Sequence, residues 1–329
     1  GTKVPAPAAA FVNSVQLHAL DFDDYHGPSD AHMTAVLVPT VLALGELHDA
    51  SGQETLAALV LGAEVIGRLG RAHNARKAHS GFLPTSVIGG FGATAAACRL
   101  QGCSVEQAVD ALGIWYAHVS GNRQALFDRT LTKRIQPGIA ARDAVFAACL
   151  AHRDSTGPRR IVGGQSASLT QIYGCRPDAE PPSVDEIMRE YESWQIEQLQ
   201  FKCYACCGYS GKAIAAAIAL ATEHKIAPQD IQEIRVFGDD NASPFAGVPW
   251  EDNAEPHVLA QFCLPYATAS AIKNRRYGPD EIAPARIAAD CLYHCCANSR
   301  ARARCPALHA DCQPLGQWGL RSRAEIVAG

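Results

Sequence analysis

Histidines and carboxylates crowd one short stretch of this chain: Asn13, then His18-Ala-Leu-Asp21-Phe-Asp23-Asp24-Tyr25-His26, then His32. If the stretch before it is helical and continues, His18, Asp21 and Tyr25 share one stripe at three- and four-residue spacing. Three carboxylates at a helix C-terminus oppose the helix dipole, so stability gives no reason to put them there. Neighbouring histidines supply counter-charge and a group that titrates near neutrality. The combination suits general acid–base work. A solvated acidic helix end is the plainer alternative, and calcium fits less well, because the Gly and spacing of an EF-hand loop are missing.

Two further segments carry complementary chemistry. His79-Ser-Gly-Phe-Leu83-Pro-Thr85-Ser86 runs into a Gly/Ala-rich stretch. Thr85 or Ser86 is placed to cap the following helix, whose first amides suit a carboxylate. The alternative is that Gly89, Gly90 and Gly92 serve only close helix packing. Ser120-Gly-Asn-Arg123 and Thr132-Lys133-Arg134 then bring cations together ahead of a helix. Arg offers bidentate pairing and Lys a point charge or a proton donor, which suits a polycarboxylate, although a solvated basic loop reads the same way. Cys203 and Cys206 form a lone CxxC with no second pair at zinc-finger spacing, a weak metal or redox signal. Neither a P-loop, nor a GxGxxG after a strand, nor a GxSxG elbow occurs.

The elements that must position these groups read as helices first. Val36–Asp49, Glu54–Leu69, Ser86–Leu100, Val105–His118 and Ala140–His152 follow one another with short polar breaks. Ser51…Glu54 and Ser104…Gln107 have capping-box spacing. A Gly- and Ser-rich shift follows Thr156-Gly-Pro, and Pro181-Pro182 reads as a linker. Beyond it come a helix at Gly211–Thr222, a strand at Ile231–Phe237 and a helix near Pro265–Lys273. The expected fold is therefore mainly α: an all-helical domain over 1–180, a linker and entry helix over 181–198, and a smaller α+β domain over 199–329.

Composition narrows the partners. The 329 residues are 48% hydrophobic but only 7% aromatic, which favours small side chains and close helix packing. A net charge of -4 gives no global attraction to nucleic acid or anionic membrane. No apolar run has the length of a membrane span, and the opening stretch lacks the pattern of a signal peptide. Thirteen cysteines, an odd number in a long chain, point to a reducing cytoplasm.

In order along the chain, Asn13–Asp24, Val36–Gly70, Gly81-Phe-x-Pro-Thr with Gly-x-Phe-Gly-Ala, and Thr132-Lys-Arg…Gly138-x-Ala-Ala-Arg resemble the MmgE/PrpD family. Thr156-Gly-Pro, Lys202-x-Tyr-x-x-Cys207 and Ala260-Gln-Phe-Cys-Leu-Pro-Tyr266 extend the likeness to about residues 8–275. The resemblance implies a helical domain with an α+β lid, a homodimer, and acid–base work on a small di- or tricarboxylic acid without metal or cofactor. It implies Asp21, His32 and Lys133 as catalytic residues; beside them Arg134, His79, Thr85, Arg123 and Tyr25, which stands where the family commonly has Thr, are the expected substrate-binding residues. The expected reaction is of the hydro-lyase type, with an epimerase or a catalytically degenerate member as alternatives. Leu83 and Gly211 stand where the family often has histidines. The helices that precede the Asn13 segment in the family are missing, and after about Ala289 a Cys- and Arg-rich tail replaces the expected lid strands. A zinc site built from Cys291, His294, Cys295, Cys305, His309 and Cys312 would match no common spacing.

Overall fold

The computed structural model describes residues 2–74, 81–163, 167–173, 180–238, 246, 250, 255–289, 310–314 and 323–328. The chain divides into two compact units, Gly1–Ala19 with Asp23–Gln124 and Thr132–Phe201, and Leu20–Phe22 with Ala125–Leu131 and Lys202–Gly329.

The first unit is helical. Its main elements are α1 (Ala6–His18), α2 (Met33–Leu47), α3 (Gly52–Asn74), the short α4 (Pro84–Val87), α5 (Gly89–Gln101), α6 (Val105–His118) and α7 (Thr132–Ala151). Two-residue strands β1 (Asp24–Tyr25) and β2 (Gln200–Phe201) pair antiparallel, Asp24 opposite Phe201. Both expected capping boxes form. Glu54 N–H donates to Ser51 Oγ and Ser51 N–H to the Glu54 carboxylate, and Ser104 and Gln107 exchange the same pair of bonds.

Small residues let these helices approach. A Cβ on Gly92 would lie 2.3 Å from the Gly62 carbonyl oxygen, so α3 and α5 cross with their backbones touching. A Cβ on Gly90 would fall inside the Trp115 ring, and one on Gly138 would meet Phe11 and Val15 of α1. The packing reading of Gly90 and Gly92 is therefore the one their surroundings support. Around them a single core joins Val36, Leu37 and Leu44 to Ile66, Ile88, Phe91, Trp115 and the alanines of α7.

The second unit contains α8 (Gly211–Glu223), β3 (Ile231–Gly238), α9 (Pro256–Phe262), α10 (Leu264–Asn274), α11 (Pro284–Ala289), β4 (Ala310–Pro314) and β5 (Arg323–Ala328). The central strand β3 runs parallel to β4 and antiparallel to β5, Ile234 standing opposite both Ala310 and Ile326. Beyond Ala289 two strands, β4 and β5, flank β3. Of the residues considered for zinc, Cys291, His294, Cys295, Cys305 and His309 lie outside the described residues. Among the described residues no helix is long and apolar enough to cross a membrane.

Candidate active site

The site is built where α1 stops. The sequence places His18, Asp21 and Tyr25 on one helical stripe, but α1 ends at His18 and the stripe does not form. Asp21 adopts a left-handed backbone (φ 49°), a conformation Asp tolerates better than most residues, and the chain turns into β1.

Two successive carboxylates then take different tasks. Asp24 accepts hydrogen bonds from Met33 N–H at 2.9 Å, Thr34 N–H at 3.0 Å and the Thr34 hydroxyl. These are the first amides of α2, so Asp24 does the capping that the N-cap residue His32 does not. His32 is thereby released for other use. Its own N–H donates to Thr85 Oγ1 at 3.1 Å, and its ring Nδ1 lies 2.7 Å from the Asp24 carbonyl oxygen. A carbonyl only accepts, so Nδ1 carries the proton and Nε2 the lone pair. The ring is 16% exposed.

Asp23 lies between two imidazoles. Its Oδ2 accepts from His18 Nδ1 at 2.5 Å, and its Oδ1 stands 3.5 Å from His32 Nδ1. Burial opposes the charge, but His18 and His32 outweigh it and hold the carboxyl well below the ordinary carboxylate range. His18 is fully buried, and burial, helped by the Lys133 charge, lowers its pKa to about 4 against the pull of Asp23. At neutral pH the pair is an aspartate holding a neutral histidine. His18 Nε2 is buried with no hydrogen-bond partner among the described residues.

Lys133 is only 6% exposed and sits in the first turn of α7. A buried cation at a helix N-terminus works against both desolvation and the dipole, which is a reason to look for function rather than stability. The expected loop ahead of a helix is corrected: Lys133 and Arg134 already belong to α7, where tertiary packing carries the helix through Pro137 and Gly138. Arg134 is half-buried beside it.

Around this centre the ring of Tyr25 lies 5.8 Å from that of His32, and its hydroxyl donates to Asp30 Oδ1 at 3.2 Å. Arg123 pairs with Asp30 Oδ2 at 2.8 Å. Gln136 fixes the loop bearing Arg123 by bonding both the N–H and the carbonyl of Asn122. Gly121 there has φ 118°, and a Cβ would come 2.7 Å from Ser86, so the turn requires glycine. Thr85 is not a helix cap as expected; Leu83 takes the N-cap position of α4 and Thr85 points its hydroxyl at the His32 amide.

The helical unit thus brings together His32, Lys133, Tyr25, Thr85 and Arg123 from the expected set. Asp21 belongs to the other unit, where its carboxylate and carbonyl accept from Lys202 Nζ at 3.0 and 3.1 Å. The carboxylate hydrogen-bonded to the His18 imidazole is Asp23. His79 lies outside the described residues. The roles of His18, Asp23 and Asp24 were missed. The signal available was the adjacency of the two aspartates just past a helix end: one caps the next helix and the other is left to the histidines. Histidine and carboxylate atoms of this kind also suit divalent cations. In both imidazoles Nδ1–H goes to an oxygen acceptor, which leaves Nε2 as the ring atom able to bind a cation.

A helical unit with an acid–base cluster at the junction of its first two helices, followed by a smaller α+β unit, defines the class. The profile of the MmgE/PrpD N-terminal domain matches residues 1–179, and that of the MmgE/PrpD C-terminal domain matches residues 204–294. The chain belongs to the MmgE/PrpD family. It is 27% identical over 303 residues to cis-aconitate decarboxylase-like protein oryM of Aspergillus oryzae, covering 87% of this chain and 62% of that protein. It is 28% identical over 216 residues to cis-aconitate decarboxylase of Aspergillus terreus (63% of this chain, 44% of that protein). The human cis-aconitate decarboxylase is 31% identical over 234 residues, with 68% and 46% covered. The chain spans about half the length of these relatives, between 44% and 62%.

Proposed function

We propose that this chain is a lyase that works by acid–base proton transfer beside a carboxylate of a small di- or tricarboxylic acid. The observation that carries the reading is His32, pinned through Nδ1–H so that Nε2 keeps its lone pair, next to an ionised Asp23 and with a buried Lys133 in the same helical unit. In the elimination of water, Nε2 takes the proton α to a carboxylate, the electron pair forms the double bond, and hydroxide leaves with a proton from an acid. In decarboxylation Nε2 first takes a proton from solvent; the carbon–carboxylate bond then breaks, carbon dioxide departs, and His32 gives that proton to the carbon. The relatives named as cis-aconitate decarboxylases favour the second course. Asp23 favours the imidazolium in either, and Lys133 with Arg134 would hold substrate carboxylates. Asp21, braced by Lys202, is a second carboxylate proposed for this chemistry.

A second reading, epimerisation of an imino- or hydroxy-dicarboxylate, is favoured by Leu83. This buried apolar side chain stands where the resemblance places a histidine, so elimination lacks that second acid–base group. Proton NMR in D2O separates the courses on a panel of cis-aconitate, citrate, 2-methylcitrate, malate, tartrate and iminodisuccinate. Loss of a carboxyl carbon marks the decarboxylase, a new alkene from a hydroxy acid the hydro-lyase, and deuterium at an α-carbon without net conversion the epimerase. Every compound returning unchanged from folded protein would refute the lyase reading.

Lys133→Met tests the carboxylate role on whichever acid reacts. The expected result is a KM raised by about 10- to 100-fold with kcat changed far less, the signature of lost charge-assisted binding. A collapse of kcat at unchanged KM would make Lys133 a proton donor instead.

A further inference from the structure

At the far end of α5 the helix stops in a way that puts two thiols face to face. Gly102 is left-handed (φ 68°), its N–H donates to the Arg99 carbonyl at 3.4 Å, and Cys103 N–H donates to the Cys98 carbonyl at 3.0 Å. These are the paired bonds of a Schellman stop, in which the side chains at the two ends of the longer bond meet. Here they are Cys98, buried in the core, and Cys103, partly exposed. With the backbone bond in place, bond lengths alone keep the two Cα atoms within about 7 Å, near the upper limit of the range a disulfide spans.

The surroundings supply more sulfur and a base. Cys149 of α7 lies beside this pair and accepts from Gln101 Nε2 at 3.0 Å, while His152 Nδ1 stands 3.9 Å from Cys103 Sγ. None of these residues has a part in the acid–base site.

We propose that Cys98 and Cys103 are a redox-active dithiol, closed to a disulfide across the end of α5 by hydrogen peroxide or another hydroperoxide. His152 accepts the Cys103 proton, and the sulfur attacks one peroxide oxygen. The O–O bond breaks, the distal oxygen leaves as water, and Cys103 becomes a sulfenic acid. Cys98 sulfur then displaces that hydroxyl as a second water. The two sulfurs together give up two electrons and both thiol protons end in the waters, so the peroxide is fully reduced. Burial raises the pKa of both thiols, which makes the pair slow to react.

Trypsin provides the test, because it cuts after Arg99 and separates the two cysteines. Full-length protein is reduced, freed of reductant, treated with hydrogen peroxide, alkylated and digested for mass spectrometry. The expected product is the peptide ending at Arg99 joined to the one beginning at Leu100, lighter by two hydrogens and separated again by dithiothreitol. Cys149→Ser should still give it, Cys98→Ser should not, and His152→Phe should slow it several-fold. Full alkylation of both cysteines after oxidation, or Cys103 joined to Cys149 instead, would overturn the assignment. Circular dichroism on each variant confirms that a negative result comes from folded protein.

Discussion

His32→Asn is expected to lower kcat/KM by roughly 10²- to 10⁴-fold, the range a positioned acid–base group supplies, without unfolding the protein. The substitution removes Nε2, the only ring atom with a free lone pair, and keeps what the structure asks of the side chain. The Asn amide stands close to where Nδ1 was and still donates to the Asp24 carbonyl, while the backbone N–H still reaches Thr85. Position 32 is also the N-cap of α2, where Asn is among the preferred residues, and Asp24 already covers the first amides. Rates on the acid found by the D2O screen, set beside urea midpoints, separate chemistry from stability. An unchanged midpoint with a rate within a few-fold of the parent would remove His32 from the mechanism and leave Asp21, Tyr25 or Lys133 to supply the base.

Much of the helical frame was legible because its signals are local. Helices expected at Val36–Asp49, Glu54–Leu69 and Val105–His118 form at Met33–Leu47, Gly52–Asn74 and Val105–His118, and both Ser-initiated capping boxes close. The strand at Ile231–Phe237 and the helix at Gly211–Thr222 are equally close. What was not legible depended on groups far apart in sequence. Gln136-Pro137-Gly138 reads as a break before a helix starting at Ala140. Yet α7 begins at Thr132, since Gly138 is there to let α1 approach and Lys133 is carried into the helix with it.

The same limit governs the carboxylates. Asp21, Asp23 and Asp24 are interchangeable to a pattern, and their division of labour turns on a single left-handed residue and on which backbone amides lie nearby. Asp24 spends its oxygens on α2, Asp21 bonds Lys202, and Asp23 falls between His18 and His32. Cys98 and Cys103 were passed over for a related reason. Five-residue spacing carries no chemistry until a left-handed glycine folds one residue back over the other.

The His18–Asp23 pair has a consequence for the whole fold that acid will expose. In the folded state burial holds the His18 pKa near 4, against 6.5 for an unburied histidine. Between those values the unfolded chain binds a proton that the folded chain refuses, so stability falls as pH drops from about 6.5 to about 4. The depression amounts to about 3 kcal/mol for this one residue. His26, also lowered to about 4 by burial and by the nearby Arg71 charge, pulls the same way. Asp23, held below the usual carboxylate value of 3.8, makes a contribution that persists above that pH and disappears only on further acidification. Urea unfolding from pH 7.5 down to pH 4 should therefore show a steep loss of stability beginning near pH 6.5, in a range where ordinary surface carboxylates are still ionised. His18→Asn keeps a donor toward Asp23 but cannot titrate, and its profile should be flatter by about 3 kcal/mol over the same interval. Parallel profiles for parent and variant would mean that His18 is charged in the folded protein. The site would then rest as an imidazolium–carboxylate ion pair, and His18 rather than His32 would be the group holding a proton ready for substrate.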